Sequence, residues 1–185
     1  MSKEQETIWT VGHSTRSIEE FLAALTSQRI EAVADVRSLP GSRRYPHFDS
    51  ERLAGTLSEA GLEYRWIPAL GGRRRARPDS PNMAWRSAAF RGYADYMATD
   101  QFQAGIAQLL DLARGKRTAI LCAEAVWWRC HRSLIADYLK ISGFRVIHIF
   151  DDKKADDHPY TAAAHIQDGR LSYSAEKGEH NEHRA

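Results

Sequence analysis

What the chain lacks narrows it first. Only two cysteines occur in 185 residues, Cys122 and Cys130. That is too few for a disulfide scaffold and matches usage in a reducing compartment, so a cytoplasmic protein with both thiols free is expected. No apolar run approaches the ~18–20 residues of a membrane span, which excludes a helical membrane protein and predicts a soluble one. The first residues, Met1 to Thr7, contain neither an apolar stretch nor a cleavage signal, so no secretory signal peptide is expected. There is no internal repeat, and no Cys-x-x-Cys pair of the kind zinc knuckles use. The formal net charge is only +2, so the chain as a whole carries no strong bias of one sign.

What is present suits one globular domain. The hydrophobic fraction is 43% and the charged fraction 27%, and a chain of this length buries roughly two thirds of its unfolded surface without staples. Arginine is unevenly distributed. The window 37–91 holds 11 Arg against five carboxylates, a local balance of +6, which leaves −4 for the remainder. Guanidinium forks suit phosphate and carboxylate, so an anionic partner is expected there, with a solvated basic surface as the plainer reading.

Strand-like and helix-like runs alternate. Ile8–Val11, Ala32–Val36, Tyr64–Ile67, Thr118–Cys122 and Arg145–Phe150 are short apolar runs of the buried parallel type. Ser17-Ile-Glu-Glu20 is a capping box opening a helix through Phe21, Leu22 and Leu25. Leu53, Leu57 and Ala60 form a helical stripe ending at Gly61. Phe102, Ile106, Leu109, Leu110 and Ala113 form another between Thr99 as N-cap and Gly115 as C′. Leu134, Ile135, Tyr138 and Leu139 mark a helix closed by Gly143. The alternation predicts a single α/β domain over residues 1–173, a three-layer arrangement with a mostly parallel five-stranded sheet and helices on both faces. Pro68 to about Ser87 reads as a long functional or mobile loop, and the polar segment 174–185 as a disordered tail.

In such sheets ligands bind beyond the carboxyl ends of the strands. Those ends carry Gly12-His13-Ser14, Asp35-Val36-Arg37, Cys122-Ala123-Glu124 and His148 to Asp151. The densest segment is Cys122-Ala-Glu-Ala-Val-Trp-Trp-Arg-Cys-His-Arg132, with a helix beginning near Arg129 to Ser133. Cations in the first turn of a helix oppose its dipole, so Arg129, His131 and Arg132 require compensation, by a bound anion or by carboxylates such as Asp35 or Asp137. A strand-end Cys followed by Arg at a helix start resembles the cysteine phosphatases and rhodaneses. Here, however, six residues without glycine separate Cys122 from Arg129, and Glu124 lies inside the would-be cradle. Glu124 can instead be the working carboxylate, walled by Trp127 and Trp128 and faced by Arg129 and His131, or an internal ion-pair partner. Cys122, Cys130, His131 and His13 include ligand types for zinc or iron, the metal alternative to a site without a cofactor. Ser42, Arg43 and Arg44 sit in a turn able to grip an anion, and Leu70 to Arg77 and Asn82 to Arg86 together combine arginines with the aromatic Trp85, as nucleotide and single-strand sites do.

Val11-Gly-His-Ser14, Asp35-Val-Arg37, Ser42-Arg43, Leu70-Gly-Gly72, Trp85-Arg86, Phe90 to Met97 and above all Cys122 to Arg132 resemble the domain-of-unknown-function-488 family of small prokaryotic proteins, over about residues 7–173. Trp127 stands where the family pattern has proline. The resemblance implies no reaction or substrate, and it supports the positions chosen on physical grounds.

The expectation from the residues is therefore an enzyme acting on a phosphate-bearing nucleotide or nucleic acid. Glu124, Cys122, His13 and Asp35 are the candidate catalytic groups, and Arg37, Arg43, Arg129, His131, Arg132 and Trp128 the candidate substrate-binding groups. Two alternatives stand beside it: a nucleic-acid-binding or regulatory module without catalysis, and a thiol or metal redox site.

Overall fold

Strand β1 (Thr7–Gly12) runs through the middle of the molecule, and its alternation explains the layering that follows. Trp9 and Val11 point to one face of the sheet and Ile8 to the other, because successive side chains of a strand face opposite ways. The computed structural model describes residues 4–175. Along them follow α1 (Ile18–Ser27), β2 (Ala32–Asp35), α2 (Ser50–Glu59), β3 (Glu63–Trp66), α3 (Ala88–Tyr96), α4 (Asp100–Ala113), β4 (Thr118–Cys122), α5 (Arg132–Ile141), β5 (Arg145–Ile149), β6 (Ala155–Asp157), β7 (His165–Gln167) and β8 (Arg170–Ser172). Single turns of 3-10 helix stand at Pro46–Phe48, Pro68–Leu70 and Trp127–Arg129.

The main sheet has the order β3-β2-β4-β1-β5-β6. All pairings are parallel except that of β6, which lies antiparallel on β5. The domain is thus α/β as expected, with a sixth strand and a small β7–β8 hairpin added. Both additions are three-residue strands with few apolar side chains, so no period-2 signal announces them. Charged Asp156 and Asp157 suit an edge strand, where they discourage further pairing.

Helices cover both faces. Phe21 and Leu25 of α1 and Leu53 and Leu57 of α2 pack with Trp9, Val11, Val33 and Leu121 on one side. Phe102 and Leu109 of α4 and Leu134 and Leu139 of α5 pack with Ile8, Ala34 and Ile120 on the other. The helix ends follow the signals in the sequence. Ser17 and Glu20 form the reciprocal capping box, Thr99 caps α4, and Gly61, Gly115 and Gly143 take positive φ just past α2, α4 and α5. Among the described residues no helix is long and apolar enough to cross a membrane. Of the polar tail anticipated from residue 174, residues 176–185 lie outside those described.

The connections set the position of the site. The chain leaves β2 toward β3 on one side, and leaves β4 through α5 toward β5 on the other. The carboxyl ends of neighbouring β2 and β4 therefore diverge, opening a crevice between their loops.

Candidate functional site

Backbone contacts tie three strand ends together. The N–H of His13 donates to the carbonyl of Cys122 at 3.0 Å, that of Ser14 to Ala123 at 2.9 Å, and that of Val36 to Leu121 at 3.0 Å. Gly12 permits this approach: a Cβ there would stand 1.7 Å from the carbonyl oxygen of Glu124. Gly72 does the same for the loop after Pro68–Leu70, since a Cβ would meet the His131 ring at 2.4 Å.

Asp35 is fully buried at the end of β2, and its lone pairs are committed. Oδ1 accepts from the backbone N–H and Nε of Arg37 at 3.1 and 2.9 Å, and Oδ2 from Nη2 of Arg37 at 2.7 Å and the Tyr64 hydroxyl at 2.5 Å. Arg37 Nη1 donates to the Phe48 carbonyl at 2.8 Å and lies 3.5 Å from Nε2 of His13. Burial works against the charge on Arg37, but Asp35 outweighs it and holds the guanidinium above its ordinary pKa. His13 stacks on Phe48 at 4.4 Å. Burial, aided by the Arg37 charge, pulls its pKa down to about 4, so the ring is neutral at physiological pH. Asp35 and His13 thus act as a foundation that fixes Arg37, and neither lines the crevice.

The crevice itself is a cleft of about 470 Å³ lined by Arg37, Arg73, Glu124, Arg129, His131 and both cysteines, together with Ser38 and Phe90. Arg73 and Arg129 are exposed, and their side chains make no ion pair or hydrogen bond among the described residues. Glu124 is likewise exposed and without such a partner, so neither the tryptophan-walled environment nor the internal ion pair anticipated for it is present. Its would-be walls are turned elsewhere by the 3-10 turn, whose three residues per turn send consecutive side chains in different directions. Trp127 stacks on His148 at 4.6 Å and 4°. Trp128, 51% exposed, lines a neighbouring recess of about 930 Å³ with Trp85 and Arg86, and Ser87 borders both spaces.

The cleft floor holds sulfur. Cys122 and Cys130 are 2% and 6% exposed, unbonded, with their sulfurs 2.6 Å apart. His131 Nε2 meets the Val36 carbonyl at 2.9 Å, which requires the proton on that nitrogen and leaves Nδ1, 3.6 Å from Cys130 Sγ, as an acceptor. Burial lowers His131 to about 4, keeping it neutral. Burial raises the Cys122 thiol, but the Cys130 contact and the charge of Arg132 outweigh it and bring Cys122 below its ordinary value. Burial and the neighbouring Cys122 push Cys130 well up.

Arg132 corrects an expectation. It is the first residue of α5 but only 1% exposed, and it faces inward. Nη2 donates to the Ala125 carbonyl at 2.9 Å, while Nε and Nη1 have no partner. It pairs with neither Asp35 nor Asp137 and does not line the cleft. Arg43 is exposed on the loop after β2 and is not brought into the cleft either. Arg129 belongs to the turn that precedes α5, whose N-cap is His131. As for the metal alternative, His13 turns its nitrogens to the Ser14 carbonyl and Arg37. No group of three or more His, Cys, Asp or Glu among the described residues is arranged to hold an ion.

Two features carry no individual signal in the sequence. Arg73 is hidden in the run Arg73-Arg74-Arg75, where nothing distinguishes it. Arg74, its neighbour, is structural, bonded to the Gly71 and Pro68 carbonyls and lying 3.7 Å over Tyr96. The second is a buried chain behind the cleft. Asp137 accepts from His158 Nε2 at 2.7 Å, from Thr161 and from the Tyr173 hydroxyl. His158 Nδ1 then accepts from His148 Nε2 at 2.8 Å, and His148 Nδ1 from the Thr10 hydroxyl at 2.5 Å. This chain ties α5, β5 and the segment 158–173 together. His148 is lowered to about 2, by burial first and then by the charges of His158 and Arg132.

The fold and site define a three-layer α/β protein with an arginine-edged, thiol-floored cleft at the carboxyl edge of its sheet. A family model, the domain of unknown function DUF488, matches residues 17–139, and the chain belongs to that family. No curated protein and no solved structure matches it.

Proposed function

We propose that the cleft binds and acts on a phosphate-bearing nucleotide or nucleic-acid substrate. The carrying observation is that Arg73 and Arg129, both without a side-chain partner, edge the same cleft. Long cations left unpaired around a concavity favour a ligand with forked oxygens. Arg37 adds a fixed charge, offset beneath by Asp35, and Glu124 is the one carboxylate in the lining. The adjoining recess, with Trp85, Trp127 and Trp128, offers ring faces on which a base stacks while its phosphate lies among the arginines. Glu124 is then the group that takes or gives a proton at the substrate, and His131, neutral and held by Val36, forms part of the wall.

The test is calorimetric titration of the purified protein with nucleoside 5′-monophosphates, the matching nucleosides, inorganic phosphate and a short single-stranded oligonucleotide. Phosphorylated nucleosides are expected to bind more tightly than either the nucleosides or phosphate alone, with at least a tenfold loss in Arg73→Glu and Arg129→Glu. Equal affinity for nucleoside and nucleotide, or an unchanged affinity in both variants, rules the reading out. Glu124→Gln is expected to keep binding and lose turnover. Binding of the oligonucleotide alone, falling steeply with salt and with no turnover, would favour the binding module instead.

A further inference from the structure

The floor of the cleft carries chemistry that phosphate binding does not use. Cys122 ends β4 and Cys130 closes the 3-10 turn, eight residues on, so that the intervening loop folds back and sets sulfur against sulfur. Both line the cleft while being almost covered, so only a small molecule entering the cleft reaches them. Behind them lies a guanidinium whose Nε and Nη1 are buried without a partner and which has no ion pair among the described residues. A buried, unopposed cation is costly, and a thiolate at Cys122 supplies the missing countercharge. On the other side His131 Nδ1, unprotonated, stands beside Cys130 Sγ. The backbone N–H of Arg132 points at the same sulfur at 3.5 Å.

We propose that Cys122 and Cys130 form a reversible dithiol–disulfide couple that reduces a small hydroperoxide, with Cys122 as the attacking thiolate and Cys130 as the resolving thiol. In the first step the Cys122 thiolate attacks one peroxide oxygen. The O–O bond breaks, Cys122 becomes a sulfenic acid, and the departing hydroxide or alkoxide takes from solvent the proton that Cys122 released on ionising. In the second, Cys130 Sγ attacks the sulfenyl sulfur, and the S–O bond breaks as the thiol proton passes to the departing oxygen, which leaves as water. The sum is two thiols and one hydroperoxide giving one disulfide, one water and one alcohol or second water. An external small dithiol restores the pair by exchange: its thiolate attacks Cys130, the more exposed sulfur, and its second thiol resolves the mixed disulfide.

The inference is independent of the nucleotide reading, and its test needs no nucleotide. The native protein is treated with hydrogen peroxide, quenched by alkylation and mapped by mass spectrometry, with dithiothreitol as the returning dithiol. The expected result is an intramolecular Cys122–Cys130 linkage, loss of both titratable thiols, and full recovery on reduction. Cys130→Ser is expected to stop at a sulfenic acid on Cys122 that dimedone captures, and Cys122→Ser to leave Cys130 at least tenfold slower. Arg132→Met is expected to slow the first step about tenfold; should it fail to fold, the cysteine variants and the wild-type mapping still decide. Linkage only in denaturant, linkage between chains, oxidation straight to sulfonic acid, or equal reactivity of the two single variants would each overturn the proposal.

Discussion

Replacing Asp35 by Asn tests whether the foundation beneath Arg37 holds as the contacts imply. The change keeps the shape of the side chain and removes its charge. Every partner of the carboxylate is a donor: Arg37 N–H, Nε and Nη2, and the Tyr64 hydroxyl. An amide turned either way sets its own N–H₂ against a donor of Arg37, and only the Tyr64 hydroxyl can rotate to accept. The guanidinium is left 6% exposed without its countercharge. Removing one member of a buried pair costs about 3–5 kcal/mol. Because Arg37 borders a cleft that admits water, the lower figure applies, and about 3 kcal/mol corresponds to a fall of roughly 6–12 °C in Tm for a domain of this size. Thermal unfolding followed by circular dichroism and by urea titration reads it directly. The double variant Asp35→Leu, Arg37→Met, which removes both charges, is expected to recover at least half of the loss, since apolar replacement of a buried pair is often near neutral. A loss under about 1 kcal/mol in Asp35→Asn would show that the pair is solvated and that the account of Arg37 is wrong.

Acid is expected to weaken the fold through buried histidines. His13 and His131 fall from 6.5 to about 4 on folding, so between these values the unfolded chain binds more protons. Their contribution is complete above about pH 6.5 and is lost as pH falls toward 4, worth about 3 kcal/mol for His131 alone. Urea unfolding from pH 7.5 to 4.5 checks the sign and slope, which His131→Gln should flatten; a stability that rises on acidification contradicts the argument. Gly12→Ala drives a Cβ into the Glu124 carbonyl, a backbone atom that cannot swing away. It is expected to cost at least about 1–3 kcal/mol by denaturant titration, and wild-type stability would mean that β1 and the loop after β4 are less tightly joined.

The parts of the fold legible in the sequence are those with periodic or capping signals. Ser17, Thr99, Gly61, Gly115 and Gly143 mark helix ends because their side chains or their missing Cβ have a local job that no tertiary contact overrides. The strands β1, β2, β4 and β5 are legible because burial on both faces makes them mainly apolar runs. β6, β7 and β8 are not, since three residues at an edge or in a hairpin need little hydrophobic content. In the site, parallel topology alone brings His13, Arg37, Cys122 and Glu124 to one edge. Direction is what sequence does not reveal: the 3-10 turn takes Trp127 to His148 instead of Glu124, and the buried start of α5 takes Arg132 inward. The chain from Asp137 to Thr10 joins residues up to 138 positions apart, beyond any local pattern.

The electrostatics of the α5 N-terminus show why charge counted along the chain misleads there. Arg129, His131 and Arg132 read as three cations against the positive end of a helix dipole. In the fold they divide into three cases. Arg129 lies in the exposed turn before the helix, where solvent screens it. His131, as N-cap, is held neutral by burial and opposes nothing. Only Arg132 remains as a charge in the first turn, and burial strengthens every interaction it makes. Its charge works against protonation of His148 on one side and favours the thiolate of Cys122 on the other. A neutral His148 therefore lowers the cost of a charged Arg132, and Arg132 lowers the cost of a charged Cys122. The buried histidine chain behind the cleft and the sulfur pair at its floor are in this way coupled through one guanidinium, although neither touches the other.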